Sequence, residues 1–261
     1  MSAHRGKPSQ AVADKRDGGQ VDAGSRSLEL FWEARDRSAR GPKPALTLDA
    51  VVRAAIDLAD DEGIGTLTMR RVATRLGVTS MALYRYVPGK EELVDLMTDA
   101  ARDAPPAPGG LSWRDEITAW AQSSLAVFQR RPWLLESAQR RVPIGPNWLG
   151  WIEAGLLALS GSGLPPTELV GAVMLVDGHV RATAQLAVGA AGTERWSQDF
   201  GRVLLAVRGD PRYPVLTQTA DAGGFDVAVP NAGSPFEFGL RRLLDGLAVH
   251  VRPRRPGYRP T

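Results

Sequence analysis

The chain has 261 residues, 43% of them hydrophobic and 23% charged, with a formal net charge of +3. That size fits one long domain or two shorter ones with a real core. It has no cysteine, which excludes a disulfide framework and thiolate metal centres. No run reaches the ~18 uninterrupted apolar residues of a membrane span, and MSAHRGKPSQAVADKRDGG lacks the apolar centre of a secretory signal; a cytoplasmic protein is expected.

Residues 1–45 are polar and rich in Gly, Ser, Arg and Asp, which predicts a largely disordered basic extension. Ser27 to Arg37, with Leu28, Leu30, Phe31 and Trp32, is the exception: a short helix that docks on the body. Arg40 to Ala45 reads as an extended basic linker, since proline biases the residue before it away from helix. Thr47 then caps a helix with Asp49 in its first turn. Val51, Val52, Ala55, Ile56, Leu58 and Ala59 form its apolar stripe, and Gly63 stops it. Thr68 caps a second helix, MRRVATRL, ended by Gly77. Thr79 or Ser80 caps a third, running to about Val87. Pro88-Gly89 turns the chain, and Lys90 opens KEELVDLMTDAARD, which ends in the Pro/Gly stretch at 104–110.

Beyond this point the spacing predicts an all-α chain. Helices are expected over Trp113–Arg130, from Pro132-Trp133, over Asn147–Ser160, from Thr167 to about Gly189, over Thr193–Val207 and from Pro235 to about Val251. Asp210–Ser234 reads as loop, with Phe225–Val229 as the one candidate strand. The final RPRRPGYRPT is a basic tail. The expected organisation is residues 1–45 as extension, 46–96 and 97–251 as domains, and 252–261 as tail.

The small net charge hides a local patch. From Thr68 to Lys90 there are five basic residues (Arg70, Arg71, Arg75, Arg85 and Lys90) and no acidic one, between Asp60-Asp61-Glu62 and Glu91-Glu92. The first acidic group is expected to face solvent. Such a patch attracts polyanions. Two short helices joined at Leu76-Gly77-Val78 make a helix-turn-helix candidate. Ala73 suits their crossing, Gly77 suits a positive φ, and Val72, Leu76, Val78 and Leu83 suit packing on the preceding helix. That arrangement lays the second helix in a major groove. Thr79, Ser80, Met81, Ala82, Tyr84, Arg85 and Tyr86 mix phosphate-holding hydroxyls, a guanine-reading cation and methyl-bearing groups. Thr79 to Ala82 are assigned to base reading, Tyr84 and Tyr86 partly to the backbone, and Lys90 to a phosphate.

LTMRRVATRLGVTSMALYRYVPGKEELVDLM resembles the DNA-binding domain of the TetR (tetracycline-repressor) family of bacterial regulators, whose motif ends L-Y-x-[HY]-[FV]-x-x-K-x-x-L. Here it stands as Leu83, Tyr84, Tyr86, Val87, Lys90 and Leu93. The resemblance spans Leu46 to Leu96 and implies an N-terminal three-helix helix-turn-helix domain and a larger helical ligand-binding and dimerisation domain. It implies DNA contacts from Thr68, Met69, Arg70, Thr79, Ser80, Ala82, Tyr84, Arg85, Tyr86 and Lys90. It also implies a homodimer on a palindromic operator, released by a small molecule. The final long helices, Thr167–Gly189 and Pro235–Val251, correspond to those that pair across the family's two-fold axis.

The second half holds Trp113, Trp120, Trp133, Trp148 and Trp151, each either core or pocket wall. Trp120, Phe128, Trp148, Trp151, Met174 and His179 are the candidate ligand-binding residues. His179, beside Asp177 and Arg181, either orients a polar ligand group or serves the dimer interface. Three histidines, scattered along the chain, make a metal site improbable, and no cofactor is expected. With no G-x-S-x-G elbow and no P-loop, a non-enzyme is expected. Rival readings are a ligand-independent dimeric DNA-binding protein and a small-molecule carrier or enzyme with a vestigial helix-turn-helix.

Overall fold

A computed structural model describes residues 23–37, 46–140, 143–189, 193–225 and 234–251. The expectations for residues 1–22, the linker at 40–45, most of the candidate strand (226–229) and the tail at 252–261 fall outside these residues. The described residues are helical and contain no strand.

The DNA-facing half comprises α2 (Leu48–Glu62), α3 (Met69–Arg75), α4 (Ser80–Leu83) and α5 (Lys90–Ala100). Thr47 caps α2 by accepting from the Ala50 N–H at 3.1 Å. The α2 stripe of Val51, Val52, Ala55, Ile56, Leu58 and Ala59 is buried. α4 is shorter than its sequence predicts. Regular helix ends at Leu83, and Tyr84 to Tyr86 continue as turns, with the Tyr86 N–H donating to the Leu83 carbonyl.

The predicted N-terminal helix is present as α1 (Ala23–Arg37) and docks on α5. Phe31 is buried. The Ser27 hydroxyl donates to Asp95 Oδ2 at 2.6 Å, and Arg26 pairs with Glu92 at 3.1 Å. Leu28 and Trp32 remain exposed, so one side of the helix makes the contact.

The C-terminal half is built from α6 (Trp113–Arg130), α7 (Trp133–Arg140), α8 (Pro146–Ser160), α9 (Pro166–Gly189), α10 (Thr193–Ala206), α11 (Pro214–Asp221) and α12 (Pro235–His250). α6 packs on both α8 and α9, and α9 also carries α12. The segment read as loop, 210–234, contains α11, a two-turn helix with Pro214 at its start; its Gly, Pro and Asp residues hid a period too short to register. α12 opens with a capping box, Ser234 and Glu237 bonding reciprocally.

α12 approaches α9 closely at Gly239. A Cβ there would fall on the His179 ring, which is fixed by two contacts. Its Nε2–H donates to the Phe236 carbonyl at 2.8 Å, and it stacks on the Phe236 ring at 5.5 Å. Gly239→Ala should therefore destabilise the chain by about 1–3 kcal/mol, read as a lower denaturant midpoint at unchanged m-value. Gly150→Ala, on α8 with open space around its Cα, should instead stabilise by about 0.5–1 kcal/mol. Equal effects from the two would refute the close-approach account.

Candidate DNA interface and effector core

The reading head is held by three local devices. The Thr68 side chain accepts from the Arg71 N–H at 3.2 Å and starts α3. Gly77 takes φ 67°, a conformation cheap only for glycine. The Val78 N–H then donates to the Ala73 carbonyl at 3.0 Å, closing the turn where buried Ala73 lets the helices approach. Val72 and Leu83 are fully buried beneath it, with Leu76 and Val78 packed at the rim.

This frame turns the mixed residues outward. Thr68, Arg70, Thr79, Met81, Tyr84, Arg85 and Lys90 are exposed, and Ser80, Ala82 and Tyr86 are half-buried. Met81 is 75% exposed, an arrangement with no folding benefit that suits a groove-facing side chain. Met69 is the exception: its side chain belongs to the core, leaving only its backbone for a contact.

The basic patch is smaller than its sequence count. Arg71 pairs with Glu62 and Arg75 with Asp61 at 2.7 Å. The acidic border is exposed to solvent, as expected, and two of its carboxylates also reach back to α3. Asp60 points the other way: its Oδ1 accepts from Trp133 Nε1–H at 2.6 Å and its Oδ2 from Arg131 Nε–H at 3.2 Å. Such exposed pairs add little stability, but they fix where guanidinium groups point. Arg70, Arg85 and Lys90 make no ion pair among the described residues and remain the free cations of the face.

The C-terminal aromatics separate into three places and do not share one pocket. Trp120 and Trp151 are buried edge to face, with centroids 5.8 Å apart. Their indole N–H groups donate to the carbonyls of Trp151 and Asp103. Both are framework, and Trp120 also walls a cleft of about 210 Å³ with Trp113, Leu111, Glu116, Leu157 and Pro106. Phe128 lies elsewhere, fully buried, with the Arg102 and Arg181 guanidinium carbons 5.9 and 5.7 Å from its ring centre. Met174 and His179 are on a third surface, a shallow groove between α9 and α12. α9 turns these positions toward α12 and solvent, so they line this groove and not the Trp120 cleft. Asp177 and Arg181 pair at 2.6 Å, so His179 is not part of a trio with them. Trp148 is half-buried, at the start of α8.

Sequence reasoning missed α5's own acids. Glu92, Asp95 and Asp99 are all buried. Asp99 accepts from the N–H groups of Asn147 (3.1 Å) and Trp148 (2.8 Å), capping α8 from outside its own segment. Burial pushes its carboxyl above the usual range, against the pull of those two N–H groups and of Arg102. A capping signal was absent because Gly145, the residue preceding α8, has no side chain to do the work.

Two family models match the chain: "Bacterial regulatory proteins, tetR family" over residues 51–97 and "Tetracyclin repressor-like, C-terminal domain" over residues 105–251. The HTH-type transcriptional repressor DrrR1 of Streptomyces coeruleorubidus is 39% identical, over 98% of both chains. The class A tetracycline repressor protein from transposon 1721 of Escherichia coli is 32% identical, over 77% of this chain and 89% of its own. Among solved structures, ActR of Streptomyces coelicolor in complex with actinorhodin superposes with a TM-score of 0.67 at 26% identity, covering 81% of this chain and all of that one. The chain belongs to the TetR family of bacterial transcriptional regulators, with a helix-turn-helix DNA-binding domain and a larger C-terminal domain.

The divided basic patch makes a graded prediction. Arg70→Ala and Arg85→Ala should each weaken operator binding and lower the slope of log K against log salt by about 1. Arg75→Ala, whose cation is held by Asp61, should change the slope much less. Fluorescence anisotropy at several salt concentrations decides this, and equal losses for all three would mean that the ion pair opens on DNA. Asp99 makes a second prediction. Its raised pKa means its stabilising contribution is full below about pH 4 and is lost as pH rises through the folded-state value. The stability of the wild type relative to Asp99→Asn should therefore fall as pH rises, and a difference that is flat or grows with pH refutes it.

Proposed function

We propose that the protein is a repressor that binds a palindromic operator as a homodimer and leaves it when an aromatic small molecule occupies the C-terminal core. Thr68, Arg70, Thr79, Ser80, Met81, Ala82, Tyr84, Arg85, Tyr86 and Lys90 form the DNA face. Thr79 to Ala82 read base edges, while Arg70, Arg85 and Lys90 hold phosphates. One such short head reads few bases, so affinity needs two half-sites and a dimer. The exposed apolar side of α9 and α12, with Leu175, Phe238 and Val249, is the dimerisation surface. Trp113 and Trp120 line the wall for a planar ligand, a class supported by the ActR complex with actinorhodin.

The observation that carries the mechanism is the position of α5. Its first turns hold α1 through Glu92 and Asp95 and pack on α2. Its last turn reaches into the C-terminal core and caps α8 through Asp99. A ligand that repositions α8 or α6 therefore moves the helix that carries the reading head. Linkage fixes the rest: the ligand must bind the non-operator state more tightly, and DNA must weaken ligand binding by the same factor.

Selection from a random DNA library with the purified protein, followed by binding against salt, tests the first half. A palindromic consensus is expected, with log K falling by about 0.9 per neutralised phosphate for each unit of log salt. Enrichment of no sequence refutes the operator reading. A screen of planar aromatic compounds against that DNA tests the second half. If saturating occupancy of the core leaves operator affinity unchanged, the protein is a ligand-independent regulator.

A further inference from the structure

The most unusual side chain in the C-terminal half is Arg102, just past the end of α5. It is 7% exposed, yet its Nε–H is buried without an acceptor. The guanidinium makes no hydrogen bond or ion pair among the described residues. One turn earlier, Thr98 is 1% exposed and its hydroxyl is also buried without a partner. The spacing of four puts both on one side of the helix. Two orphaned donors side by side are rare in a native interior, and an unpaired buried guanidinium is costlier still.

The nearby acids act on this cation at a distance, but neither bonds it directly. Asp177 is committed to Arg181 at 2.6 Å. Asp99 is turned to the α8 N-terminus, where it accepts two N–H groups. Arg181 adds a second positive charge, its guanidinium lying over the same Phe128 ring as that of Arg102. Burial and this like charge lower the Arg102 pKa from its ordinary value, against the longer-range pull of Asp177 and Asp99. Two guanidinium groups lie over one aromatic ring, and the one hydrogen-bonded carboxylate beside them is taken by Arg181, so what Arg102 lacks is a directly bonded anionic oxygen.

We propose that Thr98 and Arg102 form an anion-accepting subsite that binds an acidic oxygen of the effector, a carboxylate or an ionised phenol, beside the Phe128 ring. The proposal rests on the reading of the C-terminal core as an effector site; the subsite lies beside Phe128, apart from the cleft of Trp113 and Trp120, and it adds an acidic group to the ligands that the core takes. The guanidinium fork suits a carboxylate held by two N–H groups, and the Thr98 hydroxyl supplies a further donor. Because Arg102 directly follows α5, the bound oxygen acts on the end of the helix that joins the two halves.

The test uses the full-length chain and calorimetric titration with acetate, benzoate and 2-naphthoate, each against its neutral carboxamide. At least one carboxylate is expected to bind about tenfold or more tightly than its amide. Arg102→Met should abolish that preference while leaving the amide's affinity unchanged, and Arg102→Lys should retain part of it. Without any probe, Arg102→Met should unfold at an equal or higher denaturant concentration, because it removes a buried unpaired charge. Equal affinities for acid and amide, no binding by any of the three acids, or a clear loss of stability in Arg102→Met would each overturn the subsite. Operator release is read separately. Arg102-dependent carboxylate binding without release overturns the effector reading and leaves the subsite. Release by neutral aromatics alone, unaffected by Arg102→Met, does the reverse.

Discussion

The architecture depends on a polar seam along one helix. Glu92, Asp95, Asp99 and Arg102 recur on α5 and its C-terminal cap at intervals of three and four residues, and all four are buried. A helix that buries carboxylates must find them donors or leave them neutral. α5 does so by recruiting partners distant in sequence: Arg26 and Ser27 of α1, and the first N–H groups of α8. The opposite stripe, Leu93, Leu96 and Met97, is ordinary core. The same helix is thus held by apolar packing on one side and by directional bonds on the other. Directional bonds fix register and rotation where apolar packing alone tolerates slippage, and a connector that carries a reading head needs its rotation fixed.

A second tie runs beside the first. Asp60, in the last turn of α2, accepts from Trp133 and Arg131. Arg131 also donates to the Ala101 carbonyl at 2.9 Å. One arginine therefore touches the end of α2 and the end of α5 together. The DNA-binding helices are thus joined to the C-terminal half through α2 as well as through α5, so displacement at the base of α5 also loads the Asp60 contact. Coupling of this kind needs no long chain of intermediates, because the elements that move are in direct contact.

Much of this was legible in the chain. The caps at Thr47 and Thr68, the positive φ of Gly77 and the outward set at Thr79, Met81, Tyr84 and Arg85 follow from local rules that act within a few residues. The acids of α5 did not yield to such rules. A Glu or Asp on an amphipathic helix looks the same in sequence whether water or another helix lies over it, and the covering helices here are encoded far away. The same blindness hid the partners of Asp60-Asp61-Glu62, which is exposed as expected but pairs with α3 and with Arg131 and Trp133. It also left Trp120, Phe128 and Met174 as undivided ligand-binding candidates, when α6 and α9 direct them to three different places. Residue type predicts burial well, but which buried residues share a cavity depends on helix rotation, and that is set by long-range contacts.

The division between satisfied and unsatisfied polar groups sharpens the functional reading. Along α5 the buried Glu92, Asp95 and Asp99 have partners, and the two buried polar side chains that lack one are Thr98 Oγ1 and Arg102 Nε, at its C-terminal end. Had the seam served stability alone, that end would be apolar, since a packed hydrophobe there is at least as stabilising as an unpaired charge. The seam is closed toward the DNA-binding helices and open toward the C-terminal core. A cation left unanswered there, on the helix that carries the reading head, lowers the stability of the empty protein and strengthens its response to an acid that fills the gap. That trade suits a switch whose resting state must be ready to change.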